Sequence, residues 1–85
     1  MTVKVLFHRE IEKDLEKLPK NIRERFFRSV RSIEQNPLVG IPLKGEFENS
    51  RKVRLGNYRI VYQFTSKTRT VVVYHVETRQ SVYKS

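Results

Sequence analysis

The feature that most constrains this chain is a pair of alternating runs, Arg51 to Leu55 and Tyr58 to Thr65, joined by Gly56-Asn57. Two-residue connections of this composition favour a tight β-hairpin, and glycine in the first central position points to a type II′ turn. Such a turn also sets the register. Leu55 falls opposite Tyr58, Arg54 opposite Arg59, Val53 opposite Ile60 and Lys52 opposite Val61. Side chains alternate across a sheet. Val53, Leu55, Tyr58 and Ile60 therefore share a face that should pack on helices, and Lys52, Arg54 and Arg59 share the other. Like charges placed directly opposite destabilise a strand pair, so fold stability gives no reason to cluster them. An anion site does. The plainer alternative is that long cationic side chains splay into water at little cost.

The rest of the chain supplies partners for this hairpin. Val3 to Phe7 reads as a short strand with Val3, Val5 and Phe7 on one face. Ile11, Leu15 and Leu18 then follow a helical period, broken at Leu18-Pro19. Pro19 suits the first turn of a second helix. Its apolar stripe is Ile22, Phe26, Val30 and Ile33, and Asn36-Pro37 ends it. Leu38 to Asn49, with Gly40, Pro42 and Gly45, reads as a long irregular connection. Ser66 to Arg69 reads as a second turn, and Thr70 to Val76 as a central strand rich in β-branched residues. The expected architecture is α+β in the order β-α-α-β-β-β: an antiparallel two-helix hairpin packed on a small, mostly antiparallel sheet.

Eighty-five residues accommodate one domain, expected to span 1–85, with a modest core and marginal stability alone. Without cysteine, neither disulfides nor a thiolate zinc site can reinforce it. No signal-like segment is visible, and no apolar run approaches the ~20 residues that span a bilayer. The expectation is a soluble, cytoplasmic protein with no membrane partner.

Charge narrows the function. The net charge is +9, and it is uneven. Residues 1–48 carry ten basic and eight acidic side chains, whereas residues 49–85 carry eight basic side chains and one acidic, Glu77. A field of this sign favours polyanions, usually nucleic acid. The acidic residues of the first half lie on the expected helices and read as solvated surface, with pairs such as Asp14 and Lys17. No acidic cluster or His-rich ligand spacing suggests a metal, and no cofactor is implied.

Metal-free RNA cleavage needs a base for the 2′-OH, positive charge for the crowded phosphorane, and a proton for the departing 5′ oxygen. Preorganised cations supply the charge term, a role that suits Lys52, Arg54, Arg59 and Arg79. A tyrosine, with a free pKa near ~10, becomes a better base among cations. Tyr83, four residues after Arg79, is a candidate, the plainer reading being a packing or edge residue, and Lys84 adds charge beside it. A regular second hairpin would bring Arg79 near Arg59 and Arg54. A paired-imidazole site is the competing idea. His8, however, sits where a helix begins and reads as a capping residue. In regular register His75 shares the face of Val71 and Val73 and reads as a buried or half-buried structural residue.

The stretch Arg51-Lys52-Val53-Arg54-Leu55-Gly56-Asn57-Tyr58-Arg59-Ile60-Val61-Tyr62 closely resembles the core motif of the RelE/ParE toxin superfamily: a basic strand, Leu-Gly, an aromatic-Arg pair, then an apolar-Val-Tyr strand. Leu15-Glu16-Lys17-Leu18-Pro19 resembles its first helix ending, and Arg79-Gln80-Ser81-Val82-Tyr83 its C-terminal Arg…Tyr ending. The resemblance covers nearly the whole chain in order. It implies a RelE-like fold and a type II toxin, either a ribosome-dependent, metal-independent mRNA endonuclease or a DNA gyrase inhibitor, held inactive by a cognate RelB-like antitoxin. The toxin alone would be monomeric. Carried over by position, the RelE-like functional residues are Lys52, Arg54, Arg59, Arg79 and Tyr83. Position 54 is often Lys in that pattern, and Arg54 keeps the charge. The Arg79–Tyr83 spacing is shorter than in some members. Gyrase-inhibiting members generally lack the full basic-plus-tyrosine set, which favours the nuclease. A non-catalytic RNA-binding module fits less well, because Tyr58 is expected inward rather than available for base stacking.

Overall fold

The computed structural model describes residues 3–43 and 49–78. In chain order the elements are β1 (Lys4–Phe7), α1 (Ile11–Glu16), α2 (Lys20–Gln35), β2 (Ile41–Pro42), β3 (Ser50–Leu55), β4 (Tyr58–Thr65) and β5 (Thr70–Thr78). The strands form one mixed sheet in the order β1-β5-β4-β3-β2. Among the described strands only the β1–β5 pair is parallel. The α+β architecture matches expectation, with one addition. The connection after α2 contains a two-residue strand, β2, antiparallel to β3, with Ile41 opposite Lys52. Among the described residues no helix is long and apolar enough to cross a membrane.

Local chemistry explains the helix limits. Pro19 stands just outside α2 as its N-cap, with an extended ψ of 153°. Its carbonyl accepts the first helical bond, from Arg23 N at 2.9 Å. At the other end Asn36 N–H still reaches Ser32 O, while the Asn36 side-chain oxygen accepts from Leu38 N at 3.3 Å. This local turn competes with further helix, and Pro37 cannot continue it. The apolar stripe of α2 buries Phe26, Val30 and Ile33 against Leu55, Ile60, Tyr62, Val71, Val73 and Val76 of the sheet, with Ile22 packed at the margin.

The hairpin has the register that its turn dictates: Leu55 with Tyr58, Arg54 with Arg59, Val53 with Ile60, Lys52 with Val61. Gly56 has φ +65°, and Asn57 is not among the positive-φ residues, as a type II′ turn requires. The β4–β5 pair is regular from Thr65–Thr70 to Tyr62–Val73 and then shifts by one residue, pairing Val61 with His75. Tyr74 is the extra residue of a β-bulge. Regular alternation from Val71 and Val73 would turn His75 and Glu77 into the core, where an unpaired carboxylate is costly. The bulge turns Val76 inward instead, 5% exposed, and leaves His75 outside. The inward, structural role expected for His75 is therefore incorrect, and the phase change in β5 is the reason.

A polar anchor holds the irregular connection to the sheet. Tyr62 is fully buried, and its hydroxyl donates to Pro37 O at 2.7 Å and accepts from Gly40 N at 2.9 Å. Arg51 Nη1 donates to Gly40 O at 2.8 Å and to Leu38 O at 3.2 Å. A Cβ on Gly40 would meet the Tyr62 hydroxyl at 2.8 Å and Lys52 O at 2.9 Å, so this approach requires glycine. Burial pushes the Tyr62 phenol above its ordinary pKa, with the Gly40 N–H and the Arg51 charge pulling the other way.

Tyr62→Phe should leave the Gly40 N–H and Pro37 carbonyl unpaired at a cost of about 1–3 kcal/mol. Thermal unfolding followed by circular dichroism should show Tm lower by about 4–8 °C for each kcal/mol lost. The raised phenol pKa also sets a sign. Its stabilisation is present below the unfolded value of ~10 and is lost as pH rises through the folded value. Wild-type stability should therefore fall more steeply above that pH than that of Tyr62→Phe.

Candidate nucleic-acid interface

The helices cover one face of the sheet, and alternation sends the expected cations to the other. Two cross-strand rows define this open face. In one, Arg54 of β3, Arg59 of β4 and Glu77 of β5 stand side by side. In the adjacent row Ile41, Lys52, Val61 and His75 follow one another across β2, β3, β4 and β5. Lys52, Arg54 and Arg59 are thus brought together as expected. Tyr58 packs against the core on the other face, also as expected.

Glu77 is a member of this site that sequence reasoning left out. Its Oε2 accepts from Arg59 Nε at 2.7 Å and is also contacted by Arg59 Nη2. Arg59 therefore has a cation on one side and a carboxylate on the other, which relieves the like-charge pairing with Arg54. In regular register Arg59 would face Val76, so the bulge makes this ion pair. A signal was present in the sequence. The inward positions Val71, Val73 and Val76 are spaced by two and then three residues, a break in strand period.

The bulge also brings His75 to the open side, at the edge where α1 meets β5. Asp14 Oδ2 accepts from Val76 N at 3.1 Å and lies 3.6 Å from His75 Nδ1. Asp14 is therefore not a solvated partner of Lys17. It satisfies a strand N–H beyond the end of β1, where no neighbouring strand accepts it. His8 stands in the turn that leads into α1, as its position implies, but the N-cap is Glu10, without a side-chain cap. The His8 Nδ1 accepts from Glu10 N at 3.2 Å and the His8 carbonyl from Ile11 N at 2.9 Å. The His8 ring lies 5.6 Å from that of Tyr74 and 6.5 Å from that of His75.

Arg79, Tyr83 and Lys84 lie outside the described residues. Thr78 pairs with Tyr58, so β5 runs alongside β4 to the hairpin turn. Among the described residues no group of three His, Cys, Asp or Glu side chains converges as a metal site. A second basic surface is formed by Arg23, Arg25, Arg28 and Arg31, all exposed on α2.

The Arg59–Glu77 pair predicts an attenuated anion site. Glu77→Gln should tighten binding of a short single-stranded RNA at low salt. It should also steepen the dependence of log K on log salt by about 0.7 for the one phosphate contact regained. Fluorescence anisotropy across a salt series would measure both. Arg59→Ala combined with Glu77→Gln should show no such gain, and an unchanged slope in Glu77→Gln alone would show that Arg59 meets no phosphate.

The comparisons agree with the overall fold. The model of the ParE toxin of type II toxin–antitoxin system, parDE, matches residues 5–83. The fold is similar to that in the RelBE2 toxin–antitoxin complex of Mycobacterium tuberculosis, with 31% identity, 93% of this chain and 100% of that chain covered, and a TM-score of 0.83. It is also similar to that in the archaeal RelE–RelB complex of Pyrococcus horikoshii OT3, with 28% identity, 93% and 97% covered, and a TM-score of 0.79. RelE1 of Methanocaldococcus jannaschii is 28% identical over 100% of this chain and 99% of its own length. The chain belongs to the ParE toxin family of type II toxin–antitoxin systems, within the RelE/ParE toxin superfamily.

Proposed function

We propose that this toxin cleaves mRNA on the ribosome, without a metal ion, by attack of a 2′-OH on the adjacent phosphate. The observation that carries the proposal is the convergence of Lys52, Arg54 and Arg59 on the open sheet face, in the register that the hairpin turn dictates. Preorganised cations on a rigid sheet stabilise developing phosphorane charge without reorganisation. Arg79 and Tyr83 enter from the family resemblance, Arg79 as a further cation and Tyr83 as the base, with Lys84 as an additional RNA contact. The ribosome, in this reading, presents the mRNA that a small open surface cannot itself clamp.

A cognate antitoxin completes the proposal. The solved relatives include toxin–antitoxin complexes. The basic second half of the chain suits an acidic segment. The exposed apolar side chains of Leu38, Val39 and Ile41 beside it suit a segment that also carries apolar residues. A gyrase-binding inhibitor is the second reading, favoured by the match to a ParE model.

The test is mRNA integrity in a reconstituted translation system, with naked RNA in parallel. Wild type should cut mRNA only when ribosomes are present. Arg59→Ala and Arg79→Ala should each slow cleavage by about 10²–10³-fold, the cost of losing one preorganised transition-state contact. Intact mRNA, with DNA damage signalling on expression in cells, would establish the gyrase reading instead.

A further inference from the structure

A phosphodiester cut by its neighbouring 2′-OH needs a proton at the departing 5′ oxygen. Arg54 and Arg59 are poor donors for that purpose, since arginine does not give up its proton in proteins. Imidazole holds and releases a proton near neutral pH, and it is the usual proton-transfer group in enzymes. The β5 bulge places one beside the cations.

The placement follows from the register. Val61 pairs with His75 and Arg59 with Glu77. His75 is therefore the diagonal cross-strand neighbour of Arg59, a separation of about 7–8 Å that long side chains bridge. Its side chain is 48% exposed, so the ring is accessible to a ligand on that face. Nδ1 faces Asp14 Oδ2 at 3.6 Å, and Asp14 is itself held by the Val76 N–H. At 3.6 Å the carboxylate is a charged neighbour of Nδ1 that favours this ring orientation, and it leaves Nε2 on the far side of the ring to carry the transferred proton. Bulges next to active sites commonly serve to re-aim a side chain. Among the described residues the charged and titratable groups around the ring are Asp14 of α1, His8 before α1, Lys52 across Val61, Arg59 on the diagonal, and Tyr74 and Glu77 on its own strand.

We propose that His75, oriented by Asp14, is the general acid of the cleavage reaction. The proposal rests on the mRNA-cleavage reading above and names the proton donor of that same site. In the step, the 2′ oxygen forms a bond to phosphorus and its proton passes to solvent or to the base proposed above. The bond from phosphorus to the 5′ oxygen breaks as Nε2–H delivers its proton there. The products are a 2′,3′-cyclic phosphate and a 5′-hydroxyl, and the neutral imidazole regains its proton from water. Asp14 is a positioning residue.

The test uses ribosome-bound mRNA carrying either an ordinary linkage or a bridging 5′-sulfur at the position that the wild type cuts. A thiolate departs without protonation, so the sulfur substrate bypasses a general acid. His75→Gln should slow cleavage of the ordinary linkage by about 10²-fold or more, in the range that acid–base groups contribute. It should cut the sulfur linkage at close to the wild-type rate. Equal loss on both substrates would mean that His75 acts only through structure, and no loss on either would mean that it has no part in the chemistry. Both results overturn the proposal while leaving mRNA cleavage in place. A wild type that cuts neither linkage removes the cleavage reading itself.

Discussion

A single extra residue in β5 governs the character of the open face. Strand alternation carried on from Val71 and Val73 would bury His75 and Glu77 and expose Val76. Desolvating a carboxylate without a partner costs far more than one irregular strand pairing. The chain therefore inserts Tyr74 as a bulge. Val76 then fills the core beside Ile60, Glu77 meets Arg59, and His75 emerges opposite Val61. The composition of the core and that of the charged face are two results of one phase shift. The Val76 N–H lies beyond the end of β1, where no neighbouring strand accepts it, and the Asp14 carboxylate of α1 accepts it instead. The helix layer and the charged row are thus coupled at the end of the shortest strand-to-strand pairing on that side of the sheet.

The opposite edge depends on a different device. Tyr62 reaches out of the core to hold Pro37 and Gly40, and Arg51 holds the carbonyls of Leu38 and Gly40. These bonds let a connection with almost no regular structure of its own lay Ile41 alongside Lys52. The apolar side chains of Leu38, Val39 and Ile41 consequently point outward from a fixed backbone. Such a surface suits a partner segment better than a loop that must be ordered on binding, because the ordering entropy has already been spent.

Much of this was readable in the sequence where local rules suffice. Gly56-Asn57 sets the hairpin register with no long-range information, so Lys52, Arg54 and Arg59 could be placed on one face. Ile22, Phe26, Val30 and Ile33 mark the buried side of α2, and Pro19 and Asn36-Pro37 mark its limits. The remainder depends on contacts between residues far apart. β2 exists because Tyr62, 22 residues beyond Gly40, anchors the connection. Asp14 resembles any solvated helix carboxylate until Val76, 62 residues later, donates to it. Glu77 was visible as the lone acid of the second half, but its pairing with Arg59 required the bulge, and the uneven spacing of Val71, Val73 and Val76 was the one local trace of it.

The proposed function requires RNA to be held on the open sheet face rather than along the arginines of α2. Its most direct measurement is the map of backbone amide shifts in the ¹⁵N-labelled toxin titrated with a short single-stranded RNA. Binding on the open face should shift Lys52, Arg54, Arg59, Val61, His75 and Glu77, with α2 little changed. Shifts confined to α2 around Arg23, Arg25, Arg28 and Arg31, with the open face unmoved, would contradict it.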